Sequence, residues 1–241
     1  MNIAVILAGG QSSRLNAFDR PKQFLEYGEK PIVVYTMEAF QQNTMVDAIV
    51  VACLEDWIPY LRDKIEQDKL SKVVGIVPGG KTGQDSIYNA LQFAEQHYPK
   101  DSLMLIHDGV RPLVLQGTIS ECISVARERG NCVTCVPAME TVLVQDANGR
   151  QDMPNRANCL TARAPQCFPL GELLKVHRQA KEDGRHDFVD TSSMMYHYGY
   201  SLHTILGSLE NIKITIPADY YMFCALIEER EKTDRGWVIT R

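Results

Sequence analysis

Ala4-Val5-Ile6-Leu7-Ala8-Gly9-Gly10-Gln11-Ser12-Ser13-Arg14, continuing to Pro21-Lys22-Gln23, is the stretch from which the rest of the chain is read. Its apolar, partly β-branched run predicts a strand buried on both faces. The run stops at paired glycines. Their missing Cβ atoms let backbone N–H groups approach a ligand and let the turn reach φ values that other residues avoid. Ser12 and Ser13 add hydroxyls, and Arg14 and Lys22 add positive charge. Together these groups suit a polyanion such as a nucleoside triphosphate. The stretch lacks both the G-x-x-x-x-G-K-[ST] of a P-loop and the G-x-G-x-x-G of dinucleotide binders, which speaks against an NAD-linked reductase.

Downstream, strands and helices alternate. A helix is expected from Pro31 to Phe40, with proline suited to its first turn. A strand over 48–52, a helix over 56–67 and a strand over 73–77 follow. Pro78-Gly79-Gly80 makes a second glycine turn before a helix over 84–96, whose Ile87, Leu91 and Ala94 share one face. Next come a strand over 103–106, a helix over 118–129 and a strand around Val133. This alternation predicts an α/β fold, a mainly parallel twisted sheet with helices on both faces. Ligands of such sheets bind beyond the strand carboxyl ends, where Gly9/Gly10, Gly79/Gly80 and Asp108 all fall. The rhythm breaks from Pro137 to about Pro165, where Thr141–Val144 and Asn148-Gly149 predict a projecting hairpin arm. Beyond it the pattern predicts helices over 170–181 and after Asp190, strands near 202–205 and 212–215, and a last helix from Pro217 to about Lys232.

At 241 residues with a net charge of −5, the chain suits one domain over 1–241 and speaks against a general nucleic-acid-binding surface. No stretch is apolar enough to span a bilayer, and the apolar amino-terminal run lacks a basic leader, so no membrane partner and a cytoplasmic address are expected. Seven scattered cysteines read as reduced structural thiols. Cys132 and Cys135 match C-x-x-C, but they sit in an apolar, strand-like run with no second ligand pair, so they read as core residues.

Leu-Ala-Gly-Gly-x-x-x-Arg followed by Pro-Lys-Gln resembles the signature loop of sugar nucleotidyltransferases. Asn211-Ile212-Lys213-Ile214-Thr215-x-Pro-x-Asp219 narrows the likeness. With Pro78-Gly79-Gly80 and Ser86, His107-Asp108-x-x-Arg111-Pro112, Arg156, Pro165-Gln166-x-Phe168 and Asp190, the chain resembles the CTP-dependent polyol-phosphate cytidylyltransferases along nearly its whole length. Two branches are close, one acting on 2-C-methyl-D-erythritol 4-phosphate and one on ribitol 5-phosphate. The resemblance implies a nucleotide-diphospho-sugar transferase-like fold, CTP as substrate, Mg²⁺ as the divalent cation, and a homodimer whose arm over 137–165 reaches the partner's site.

The resemblance also implies roles. Lys22 and Arg156 would stabilise the transition state, with Arg14 among the catalytic cations. Ala8, Gly9, Gly10, Ser12, Gly80, Ser86, Asp108 and Lys213 would hold the nucleotide, and Asp108 would lie near the metal. Arg111, Thr141 and Asp190 would meet the acceptor. His107 reads as structural. The chain departs from the family pattern at Ser12, Gly83, Glu140, Ala164 and Val189, which changes the pocket's hydrogen-bonding inventory. Pro154-Asn155-Arg156-Ala157 and the spacing from Arg14 to Lys22 lean toward the ribitol-phosphate branch. The methylerythritol-phosphate branch and a nucleotide-binding homologue without turnover stand as alternatives.

Overall fold

The computed structural model describes residues 1–10 and 20–234; Ser12 and Arg14 lie outside the described residues. In chain order the elements are β1 (Asn2–Ala8), β2 (Glu26–Tyr27), β3 (Lys30–Pro31), α1 (Ile32–Gln42), β4 (Ala48–Cys53), α2 (Ile58–Gln67) and β5 (Val73–Pro78). Then follow α3 (Gly83–His97), β6 (Leu103–Asp108), α4 (Gln116–Arg129), β7 (Cys132–Pro137), β8 (Val144–Gln145), β9 (Gln151–Asp152) and β10 (Leu160–Pro169). The chain ends with α5 (Leu170–Glu182), α6 (Thr191–His197), β11 (Thr204–Leu206) and α7 (Pro217–Asp234).

Seven strands form one sheet in the order β11-β7-β10-β6-β1-β4-β5. All pairings are parallel except those of β10, which runs antiparallel to both β6 and β7. β1 is central because both its faces are apolar. Ala4, Ile6 and Ala8 pack with residues of α1, α2 and α4, while Ile3 and Val5 pack with residues of α3, α5 and α6. That alternation puts helices on both sides of a continuous apolar run. The helices supply matching stripes, such as Val33, Val34, Met37 and Phe40 of α1, all buried. A third cluster, including Val110, Leu113, Ile214 and Phe223, seats α7.

Cys132 and Cys135 lie in β7 three positions apart, so they point to opposite faces and join different cores. All seven cysteines are free thiols. No helix among the described residues is long and apolar enough to cross a membrane.

Two expectations are corrected. Residues 212–215 form no strand. The segment runs extended and is held by the bond from Ile214 N to Val110 O and by Asp219, which accepts from the Thr215 and Ile216 amides. The excursion expected to reach about Pro165 instead rejoins the sheet at Leu160, because Leu160–Pro169 is β10. Prolines and small residues conceal that strand. Its ladder with β7 shifts register between Ala162 and Gln166, and Pro165, which has no N–H to donate, falls within the shift. The hairpin itself is short: β8 and β9 pair in two positions, and both are exposed.

Candidate active site

Strand order places the site. From β1 the chain steps outward to β4 and β5, then returns to β6 on β1's other flank. The carboxyl ends of β1 and β6 therefore border a crevice at the point where the winding reverses. Gly9 and Gly10 leave β1 there, and Asp108 ends β6.

The two glycine loops are packed backbone to backbone. A Cβ on Gly9 would lie 3.1 Å from Gly79 Cα, and one on Gly79 would lie 2.9 Å from Gly9 Cα. Buried Gln23 holds the first loop from beneath, donating from Nε2 to Ala8 O at 2.8 Å and Gly10 O at 3.0 Å. In the second loop Gly80 N donates to Ser86 Oγ at 2.9 Å, and that hydroxyl donates to Thr82 O at 2.9 Å. Thr82 and Asp85 cap α3 reciprocally. Gly80 and Ser86 stand at the crevice and Ala8 is buried behind it, and Ala8's carbonyl and Gly80's N–H are already engaged in shaping the loops.

Between the loops and the strand ends lies a hollow of about 270 Å³. Lys22, Lys81 and Lys213 line it, and Asp108 is the one acid among its described lining residues. Lys22 and Lys213, from opposite ends of the chain, therefore face the same space. A second hollow of about 250 Å³ adjoins it, sharing Leu7, Gly83, Asp108 and Lys213. Arg111, Arg163, Gln166 and Asp190 line this second space. A Cβ on Gly83 would meet nothing within 4 Å, so no side chain separates the hollows at that position.

Asp108 sits at the boundary. Lys213 Nζ reaches its Oδ1 at 2.8 Å, and Arg111 Nε donates to its Oδ2 at 2.8 Å. Burial alone would raise its pKa, but the Lys213 and Arg111 charges prevail and hold the carboxyl well below the usual carboxylate range. Arg111 Nη1 also donates to Asn211 O at 2.9 Å, and Arg163 Nη1 donates to the same oxygen at 2.8 Å. Asn211 returns Nδ2 to Ala164 O at 2.7 Å. One backbone carbonyl thereby anchors two guanidinium groups and fixes the segment that carries Lys213. Asp190 caps α6 through Ser193 N at 2.8 Å and accepts from Gln166 Nε2 at 2.9 Å. His107 is fully buried, packs on Phe40, and is pushed down to about 4 chiefly by burial, in line with a structural histidine.

Thr141 and Arg156 are not brought to this crevice within one chain. Both are exposed on the excursion after β7, neither is among the described residues that line these two hollows, and Arg156 Nη1 donates to Met139 O at 3.1 Å.

Sequence reasoning assigned no role to Gln23, Gln166 or Asn211, although each lies inside a motif that it singled out. Their work is hydrogen bonding across long sequence separations. Arg163 gave no signal, because it stands alone between alanines on a strand that was not anticipated.

A model of the family described as IspD, 2-C-methyl-D-erythritol 4-phosphate cytidylyltransferase, matches residues 2–229. The chain belongs to this family. Among relatives of the cytidylyltransferase, a ribitol-5-phosphate cytidylyltransferase of Vibrio parahaemolyticus is 44% identical over 96% of this chain and 98% of its own. One from Streptococcus agalactiae is 45% identical over 96% of this chain and 97% of its own. A 2-C-methyl-D-erythritol 4-phosphate cytidylyltransferase of Clostridium botulinum is 34% identical over 95% and 98%. The fold matches the crystal structure of the 4-diphosphocytidyl-2C-methyl-D-erythritol synthase of Anaerococcus prevotii, with a TM-score of 0.79 at 21% identity, covering 94% of this chain and 96% of that one.

Proposed function

We propose that this cytidylyltransferase transfers the cytidylyl group of CTP to a polyol phosphate, ribitol 5-phosphate in preference to 2-C-methyl-D-erythritol 4-phosphate, and releases pyrophosphate. One observation carries the reading: a hollow whose described lining holds three lysines and one carboxylate beside the paired glycine loops, adjoining a second cationic hollow. The preference for ribitol 5-phosphate is supported by the relatives so named, at 44–45% identity against 34% for the methylerythritol branch.

In this reaction an acceptor phosphate oxygen bonds to the α-phosphorus of CTP, and the bond from that phosphorus to the bridging oxygen breaks. The attacking phosphate is already ionised, so the chain must supply charge stabilisation and alignment more than a general base. Lys22 and Lys213 stand where the triphosphate would lie, and Lys81 adds a third cation. Gly9 and Gly10 admit the nucleotide closely, and Ser86 keeps the second loop in shape. Asp108 orients Lys213 and Arg111. Arg111 and Asp190 lie on the acceptor side.

Mg²⁺ fits the chemistry of Asp108. Such an ion is held by one or two carboxylates together with substrate phosphates, and among the described residues no group of three or more His, Cys, Asp or Glu offers a protein cage. Each Asp108 oxygen accepts one bond from a cation and keeps a further lone pair. When bound, the ion would neutralise charge on the phosphate oxygens.

The exposure of Thr141 and Arg156, away from their own chain's crevice, supports a homodimer in which each arm completes the partner's site. The free thiols suit a reducing cytoplasmic setting. Pyrophosphate release from CTP and Mg²⁺ across a panel of polyol phosphates tests the proposal. The expected result is turnover, highest in kcat/KM with ribitol 5-phosphate. Tight CTP binding with no release for any acceptor would leave a nucleotide-binding protein without turnover.

A further inference from the structure

In the described lining of the second hollow, Arg163 is a cation to which the chemistry above gives no task. It stands where the ladder between β10 and β7 shifts register, between Ala162 and Gln166, and such a break re-aims a side chain. The break is held by two side chains: Gln166 Nε2 donates to Arg163 O at 3.2 Å, and Asn211 Nδ2 donates to Ala164 O at 2.7 Å. The guanidinium is fixed as well. Its Nη1 donates to Asn211 O at 2.8 Å and reaches Leu209 O at 3.5 Å.

This arrangement leaves a charge unanswered. Asp108 is shared by Arg111 and Lys213, and Asp190 caps α6 and accepts from Gln166 and Ser192. Among the described residues no carboxylate pairs with Arg163, and its Nε and Nη2 have no hydrogen-bond partner. The residue is half-buried, and neither nitrogen is among the sealed polar atoms, so both stay open to a ligand. Burial first, and then the Arg111 charge, pull Arg163 below the usual guanidinium value, yet an arginine stays protonated. Two guanidinium groups on one carbonyl oxygen repel each other, and an anion between them relieves that repulsion. A phosphate monoester brings close to two negative charges and three acceptor oxygens, and a guanidinium fork takes two such oxygens at once.

We propose that Arg163 binds the acceptor's phosphate together with Arg111, and that the pair seats this phosphate beside Asp108, where the two hollows meet. This rests on the polyol-phosphate reading above, and it adds to that reading a phosphate ligand that no sequence motif marked. Contacts run unbroken from Lys213 through Asp108, Arg111 and Asn211 O to Arg163. A phosphate on the two arginines is thereby held next to the hollow that Lys22 and Lys213 line.

Arg163→Gln tests it, with CTP and ribitol 5-phosphate as substrates. Losing a charge-assisted contact should raise the acceptor KM about tenfold or more, while the CTP KM stays unchanged. Arg163→Lys keeps the charge but not the planar fork, and its acceptor KM should fall between those of the wild type and Arg163→Gln. A merely structural role would act through Asn211 O on the segment that carries Lys213, which also lines the nucleotide hollow, and both KM values would rise. That result overturns the proposal, and so does an unmoved acceptor KM. If Arg163→Gln does not fold, the lysine variant is read by the same two criteria. A crystal structure of the wild-type protein with ribitol 5-phosphate is the second measurement: a phosphate oxygen within hydrogen-bond distance of Arg163 is expected, and a phosphate out of its reach overturns the proposal. Wild-type protein that uses no polyol phosphate sinks the underlying reading instead.

Discussion

Lys22 and Lys213 enter the same hollow from the two ends of the chain, one on a short helical turn after the first glycine loop and one on an extended segment. Removing a preorganised donor from a transition state of this kind costs about 10²-fold or more in kcat. Lys22→Ala should therefore lose at least that in single-turnover transfer while still binding CTP, and near-wild-type turnover would remove Lys22 from the mechanism. Asp108 gives a second prediction at this scale. Its folded pKa lies below the ordinary carboxylate value because of Lys213 and Arg111. Its contribution to stability is therefore complete above the unfolded carboxyl's pKa. It erodes below that value, where the unfolded chain takes up the proton first, and it is gone once pH falls through the folded pKa. Acid unfolding of Asp108→Asn should be flatter than wild type below pH 4, measured by denaturant titration at a series of pH values. Identical acid slopes would mean that the carboxylate contributes nothing. That these charged residues share one hollow was legible because each stands in a recognisable motif. Gln23, Asn211 and Arg163 were not, since their partners lie on loops and strands that only the fold brings near.

At the scale of elements, parallel strands buried on both faces announce themselves as apolar runs, and β1, β4, β6 and β7 were all legible for that reason. β10 was not. Its Thr161-Ala162-Arg163-Ala164-Pro165 sequence has weak strand propensity, and tertiary pairing to β6 and β7 imposes its conformation. The 212–215 segment misled in the opposite sense: its β-branched alternation serves to bury Ile214 against Val110 and Phe223, not to build a ladder. The paired glycine loops make a prediction of their own. A methyl group at 79 would press on Gly9 Cα at 2.9 Å and on Cys53 O at 3.3 Å. Both are backbone atoms with no side-chain freedom to yield. Gly79→Ala should cost about 1–3 kcal/mol in unfolding free energy and weaken CTP binding by parting the loops. Calorimetric titration with CTP checks it, and unchanged affinity would show that the contact between the loops does not shape the nucleotide site.

For the whole molecule, the roles proposed for Arg156 and Thr141 require them to reach a crevice at the carboxyl end of β1 that their own chain does not bring them to. Both sit on the excursion between β7 and β10, whose β8–β9 hairpin is exposed throughout. Exposed apolar residues there, Met139, Leu143, Val144 and Met153, are what a surface meant to be covered carries. In a two-fold dimer that exchanges arms, each site joins the Lys22 of one protomer to the Arg156 of the other. Lys22→Ala and Arg156→Ala should then each be nearly inactive alone. In a mixed dimer one site inherits both lesions and the other inherits neither. After random re-association of equal amounts, half the dimers are mixed, and about a quarter of all sites are intact. Activity should recover toward a quarter of the wild-type level after the two variants are mixed and allowed to exchange, with exchange itself followed by labelled protomers in sedimentation. Exchange without recovery would place Arg156 in the site of its own chain. Sedimentation as a monomer at assay concentrations would remove the shared site altogether.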